Sequence, residues 1–352
     1  MRPYRLAALL GLSHAAADAA TGFAVGMLAV GGLREAATAI LLYNIVAFGL
    51  QPLAGLLVDR RAAYRRGTVA GLLASALGLV VAFIHPVAGI VIIGVGSACF
   101  HVGAGVLACQ ATPGKALAPG IFTAPGVVGL GFGVLAAFRA WPIAPVVLAA
   151  LAACAYAVHR STQDTARPIP SAPSSRVALA ALAVLVIAII IRSATWTVVG
   201  GAAWSEWSVG VFFAISVAAG IGKLAGGYLG DYFGFGSTTL FSIFLAFVIL
   251  SVESSAASTA VAVFALQSST PILLAALVGK ARRPATIAGL VLGLAVALGA
   301  VLAAVTIAGD APGTMEFWHL GVPALFAFAF GFWLLGRVTR RQQGVSGPAG
   351  RP

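Results

Sequence analysis

The 352-residue chain is 61% hydrophobic and only 9% charged, with a mean hydropathy of +1.04. A soluble domain carries about 25% charged residues, so lipid must be the main solvent. The long apolar runs are rich in Ala, Leu, Val and Gly without strand-type alternation, which predicts an all-α integral membrane protein and excludes an outer-membrane barrel. The formal charge of +12 would suggest nucleic acid in a soluble protein. Here the arginines sit at the ends of apolar runs and read as topology signals, so no nucleic-acid partner is expected.

A crossing needs about 20 residues. Charges, prolines and glycines divide the chain into twelve predicted spans, at 6–31, 36–58, 67–84, 87–111, 117–138, 141–158, 177–200, 208–230, 236–252, 258–279, 285–308 and 317–336. Arg2 and Arg5 precede the first run, as in a signal peptide. That run is too long for one, holds two titratable residues and lacks a clear cleavage site, so it reads as a retained helix. His14 and Asp18, in "GLSHAAADAATG", are four residues apart and share a helix face. Each costs at least roughly 2.5–3.5 kcal/mol at a membrane centre. Such a cost implies a partner or a use.

Cys99, Cys109 and Cys154 lie in apolar stretches without metal-ligand spacing and read as small core residues. The Pro/Ser-rich "HRSTQDTARPIPSAPSSR" separates spans 6 and 7 and predicts a flexible linker over 159–176. The expected organisation is therefore a six-helix bundle over 1–158, that linker, a second bundle over 177–340 and a disordered tail over 341–352. With both termini in the cytoplasm, only Arg34 and Arg139 among the loop basic residues fall outside. This is the positive-inside pattern of a cell inner (cytoplasmic) membrane protein.

An internal repeat supports two halves. "LAGLLVDRR" closes span 2 and "AGGYLGDYFG" closes span 8, and each places a Gly four residues before an Asp: Gly55/Asp59 and Gly227/Asp231. The halves are thus parallel six-helix repeats. With "GLLVDRRAAYRR", this element resembles the loop signature of the major facilitator superfamily. Small-residue packing and a capping or Arg-paired Asp make Gly55, Asp59, Arg60, Gly227 and Asp231 candidate gating residues. "GVGSACFHVGAG" and "IFTAPGVVGLGFG", with "IRSATW" and "LQSSTP", further resemble the fosmidomycin-resistance-like subgroup. That subgroup tends to have Phe-His-Pro where this chain has Phe100-His101-Val102.

The resemblance implies that spans 1, 4, 7 and 10 line a central cavity. His14, Asp18, His101, Arg192 and Gln267 fall on those four spans. Asp18 is expected to titrate for proton coupling, with His14 sharing or relaying the proton. Arg192, His101, Gln267 and Trp196 are the candidate substrate-binding residues, with Arg192 a fixed positive site for a carboxylate or phosphonate. Lys223 is expected to snorkel toward the nearer membrane surface.

These parts predict a proton-coupled secondary transporter working by alternating access. The first expectation is an exporter of a small polar or anionic compound or drug, by proton antiport. Uptake of an organic anion by proton symport is the alternative, and a non-transporting sensor on the same scaffold is a third. No protease or hydrolase motif is present, so an enzyme is not expected. Neither is a cofactor or metal. The expected partners are a small-molecule substrate, protons and the bilayer, and the minimal loops predict a monomer.

Overall fold

The computed structural model describes residues 3–161, 176–202, 208–252, 255–279, 281–308 and 317–345. Within them the protein is almost wholly helical. The first half comprises α1 (Pro3–Ala29), α2 (Leu33–Gly49), α3 (Gln51–Arg60), α4 (Tyr64–Ala82), α5 (Pro86–Ala111), α6 (Leu117–Phe138) and α7 (Ala144–Ser161). The second comprises α8 (Arg176–Ala202), α9 (Val209–Phe233), α10 (Phe235–Val252), α11 (Ala256–Val278), α12 (Pro284–Ala288), a π segment (Gly289–Leu294), α13 (Ala295–Ala308) and α14 (Phe317–Val345). Eleven of the described helical stretches are long and apolar enough to cross a membrane. A shorter apolar stretch, Gly321–Arg337 within α14, stands where the twelfth span is predicted.

Two spans are interrupted. Span 2 divides into α2 and α3 at Leu50, because Pro52 at the start of α3 has no N–H for the carbonyl four residues back. Span 11 divides into α12, the π segment and α13. The widened turn accommodates α3: Gly289 and Gly293 lie directly against Gln51, which is 3% exposed. Gln51 is thereby a buried interhelical residue between the halves.

The linker's two ends are helical, since α7 runs through Ser161 and α8 begins at Arg176. Residues 162–175 of the predicted linker lie outside the described residues. The helix α14 continues to Val345, five residues into the stretch expected to be a disordered tail. The rest of that stretch, 346–352, lies outside the described residues.

Packing follows small residues. Within the first half α1 packs along α6 and α4 along α5; within the second α9 packs along α11, and α8 along α13 and α14. The halves meet chiefly where α6 packs on α9 and where α3 packs on α12 and the π segment. With no hydrophobic driving force between helices in lipid, close backbone approach supplies the attraction instead. The α1–α6 and α6–α9 seams are accordingly lined by glycines with no room for a side chain.

Candidate functional site

His14 lies about 16 Å along α1 from its Pro3 end, and Asp18 about 22 Å. His101 comes to the same depth on α5, about 15 Å before that helix ends. The three meet in one centre. His14 Nε2 is 3.2 Å from Asp18 Oδ2 and 2.9 Å from His101 Nε2. The Nδ1 of His14 faces the Phe122 carbonyl at 3.0 Å, and that of His101 faces the Ser97 carbonyl at 2.8 Å. The Ser97 hydroxyl lies 3.0 Å from His101 Nδ1 and 2.9 Å from the Tyr43 hydroxyl. Three helices thus contribute around α1: Tyr43 from α2, Ser97 and His101 from α5, Phe122 from α6.

The environment holds the rings still. His14 stacks on Phe122 with ring centroids 4.9 Å apart and tilts against Phe100. Gly126 leaves the space that the His14 ring fills; a Cβ there would collide with it. His14 is 4% exposed, whereas the Asp18 side chain keeps 13% and His101 is half-buried. One Asp18 oxygen, Oδ1, is buried without a hydrogen-bond partner. The ligand-type atoms of His14, Asp18 and His101 all lie within 4.8 Å of one another, a donor set able to hold a cation.

The second cluster belongs to the other half. Arg192, 4% exposed on α8, donates through Nη1 to the Thr270 hydroxyl at 3.2 Å and approaches Gln267 Oε1 at 3.5 Å. Thr270 also donates to Gln267 Oε1, at 3.1 Å. The Arg192 Nε is buried without a partner. Pro271 on α11 has no N–H to offer the Gln267 carbonyl, so that acceptor also lacks its helical partner. Trp196 is half-buried, packs against an apolar cluster of this half and one shared with α6, and its side chain makes no hydrogen bond among the described residues.

Lys223 departs from its expected place. It sits about 15 Å before the end of α9, at the seam where that helix meets Gly120 of α6. Its side chain is half-buried at that seam. Nothing in its sequence neighbourhood signalled this; only the crossing of α6 and α9 brings it inward. Thr270 and Tyr43 were also missed, being ordinary polar residues in apolar helices. His101, a candidate substrate residue, stands beside His14. Arg192 and Asp18 form no direct ion pair.

The repeated glycine–aspartate elements meet the opposite halves symmetrically. Asp59 accepts from the amides of Ala285 (3.1 Å) and Thr286 (2.7 Å), and from the Thr286 hydroxyl (2.7 Å), at the N-terminus of α12. Asp231 accepts from the amides of Ala116 (2.7 Å) and Leu117 (3.1 Å) at the N-terminus of α6. Gly55 and Gly227, one turn earlier in each case, lie against the same backbones. Each aspartate satisfies orphan amides and the positive end of a helix dipole in the other half. Neither pairs with an arginine among the described residues, and Arg60 is exposed without a hydrogen bond or ion pair.

No family model and no curated protein matches the sequence. Solved structures do. The E. coli fucose:proton symporter FucP superposes with a TM-score of 0.67 at 13% identity, over 96% of this chain and 98% of that one. A bacterial homologue of the iron transporter ferroportin, in an outward-facing state, gives 0.64 at 17% identity, over 97% and 100%. FucP in an outward conformation gives 0.68 at 14% identity, over 96% and 99%.

The fold is the major facilitator fold. The chain is built as a multi-pass membrane protein. The two aspartate–helix contacts join the halves at the face where α1 begins, and the two polar clusters lie at mid-depth.

Proposed function

We propose that the protein is a proton-coupled transporter of a small organic anion, working by alternating access in a cell inner membrane with both termini cytoplasmic. The observation that carries this reading is the division of charge between the halves. A carboxylate with two imidazoles belongs to the first half; Arg192 and Lys223 belong to the second. Arg192 and Lys223 are the anion's partners, with Thr270 and Gln267 orienting it. Trp196 forms an apolar wall beside Arg192.

The charges also bear on direction. An added proton neutralises Asp18 and leaves both cations of the second half without a protein counterion. Proton and anion then favour each other's binding, which is the logic of symport. Removing the proton returns Asp18 as a competitor for Lys223. This supports uptake of an organic anion by proton symport over the exporting antiport that the sequence suggested. The latches, closed at the face assigned to the cytoplasm, correspond to a protein open or opening to the outside.

Reconstituted vesicles enclosing a pH-sensitive dye test the reading. Monocarboxylates, dicarboxylates and alkyl phosphonates are each added outside at constant membrane potential. Acidification of the lumen driven by one of these anions, abolished in Asp18→Asn and in Arg192→Ala, supports symport. Alkalinisation would establish antiport, and anion flux without proton movement would remove proton coupling altogether.

A further inference from the structure

Three side chains of the kinds that ligate metals converge at mid-depth in the first half. His14 Nε2 stands 3.2 Å from Asp18 Oδ2 and 2.9 Å from His101 Nε2, and the ligand atoms of all three lie within 4.8 Å of one another. A zinc-sized ion holds imidazole nitrogen and carboxylate oxygen at about 2.0–2.2 Å. Seated at that distance from His14 Nε2 and either neighbour, it would see the two ligands at roughly 90–100°, an ordinary angle between adjacent ligands.

The far side of each ring is held. His14 Nδ1 meets the Phe122 carbonyl at 3.0 Å, and His101 Nδ1 meets the Ser97 carbonyl at 2.8 Å. Metal-binding imidazoles are aimed in this way, by a carbonyl at the other ring nitrogen. The Ser97 hydroxyl also lies 3.0 Å from His101 Nδ1, so the contacts there set the direction of the ring whichever atom carries the proton. In both rings Nε2 is the atom that points into the centre. Asp18 adds an independent observation: its Oδ1 is buried without a hydrogen-bond partner. A buried carboxylate oxygen left unmatched is costly, and a cation is a partner that would satisfy it.

We propose that His14 and Asp18 of α1 and His101 of α5 form a site for one divalent transition-metal ion. Two imidazoles and one carboxylate favour zinc, cobalt, nickel or iron(II) over magnesium and calcium, which take oxygen ligands. Three protein ligands leave at least one coordination position open. One carboxylate leaves the bound ion with a net positive charge, so that position takes water or an anion. The partial exposure of Asp18 and His101 marks the side from which the ion enters. The sequence gives no sign of the site, because its ligands come from two helices far apart in the chain. The site goes beyond the transport reading above and stands on its own geometry. An ion there engages the carboxylate and imidazoles which that reading uses for protons, so that reading applies to the metal-free protein.

Untagged protein, stripped with a chelator and held in lipid nanodiscs, is titrated by calorimetry with Zn2+, Co2+ and Mg2+. One Zn2+ or Co2+ per chain is expected, with no saturable Mg2+ binding. X-ray absorption of the Zn2+-loaded wild type should show two imidazoles and a carboxylate oxygen as ligands, a readout that needs no variant. His101→Gln and Asp18→Asn, checked for fold by circular dichroism, should each weaken Zn2+ by more than the roughly tenfold to hundredfold that loss of an orienting partner costs. The proposal is overturned if no ion binds, if binding is unchanged in both variants, or if the absorption spectrum shows no imidazole. Anion-driven proton flux is measured separately in metal-free vesicles. Its failure would refute the transport reading alone, and an empty centre would refute the metal site alone.

Discussion

Asp59 accepts both the amide and the hydroxyl of Thr286, each at 2.7 Å, across the boundary between the two halves. Asp231 does the equivalent for Ala116 and Leu117. A carboxylate at a helix N-terminus typically contributes about 0.5–2 kcal/mol. Asp59→Asn and Asp231→Asn should each shift the balance toward opening at that face by about twofold to thirtyfold. Cys109 is a native reporter, buried on α5 with its sulfur 3.8 Å from the Leu274 carbonyl of the other half. In a Cys99→Ala, Cys154→Ala background, maleimide labelling of Cys109 should be slow. It should quicken in either latch variant; equal rates would show that the latches do not hold this face shut.

The glycines one turn earlier act by a different force. A Cβ on Gly55 would fall on the Ala285 backbone, and one on Gly227 would lie 2.7 Å from the Ala116 carbonyl oxygen. Backbone cannot yield as a side-chain tip can, so the halves must separate. Gly55→Ala and Gly227→Ala should raise Cys109 labelling at least as much as loss of the aspartates. The helical content, read by circular dichroism, should be unchanged.

Within the His14 centre, Gly126 is the tightest point. A methyl at Gly126 meets the face of the His14 ring, with Cε1 at 2.6 Å. Gly126→Ala should displace the ring from His101 and weaken proton coupling more than anion binding. Comparing anion-driven proton flux with anion binding by calorimetry separates the two. Overpacking of this kind costs typically about 1–3 kcal/mol, so a lowered melting temperature is also expected.

Anion affinity should depend on pH with a definite sign. The protonated state neutralises Asp18 and leaves Arg192 and Lys223 available. Affinity is therefore greatest at low pH and falls as pH rises, approaching tenfold per pH unit for one linked proton. Calorimetry in buffers of different ionisation enthalpy should show one proton taken up per anion. In Lys223→Gln the affinity should drop at all pH values, and its pH dependence should flatten, because Asp18 loses the cation for which it competes.

Arg192 and Thr270 can be told apart. Arg192→Lys keeps a charge but loses the planar guanidinium, whose Nη1 meets both Thr270 and Gln267 and whose other nitrogens stay free for an anion, and should lose most of the anion affinity. Thr270→Val removes one hydroxyl and should cost about 0.5–1.5 kcal/mol, or roughly twofold to tenfold. A larger loss in Thr270→Val than in Arg192→Lys would contradict the ranking of charge over orientation.

Much of this was legible in the chain itself. Twelve apolar runs of crossing length, the repeat of Gly55/Asp59 in Gly227/Asp231, and the unusual cost of His14, Asp18, His101 and Arg192 in lipid all follow from one-dimensional pattern and transfer energy. The i, i+4 spacing of His14 and Asp18 gave their contact directly. A helix fixes its own neighbours, so such local geometry needs no tertiary information.

What the sequence could not specify is which distant residues meet. The 2.9 Å contact of His14 with His101 depends on the register of α1 against α5. The partners that the two aspartates share in kind are backbone amides, which carry no sequence signature. Sequence determined the class, the spans and the costly residues, because hydrophobicity and helical periodicity are properties of single segments. Tertiary structure alone decided the groupings: His101 with His14, and Asp59 and Asp231 with helix ends. Those depend on glycine-lined seams, where a shift of a single turn would bring different side chains face to face.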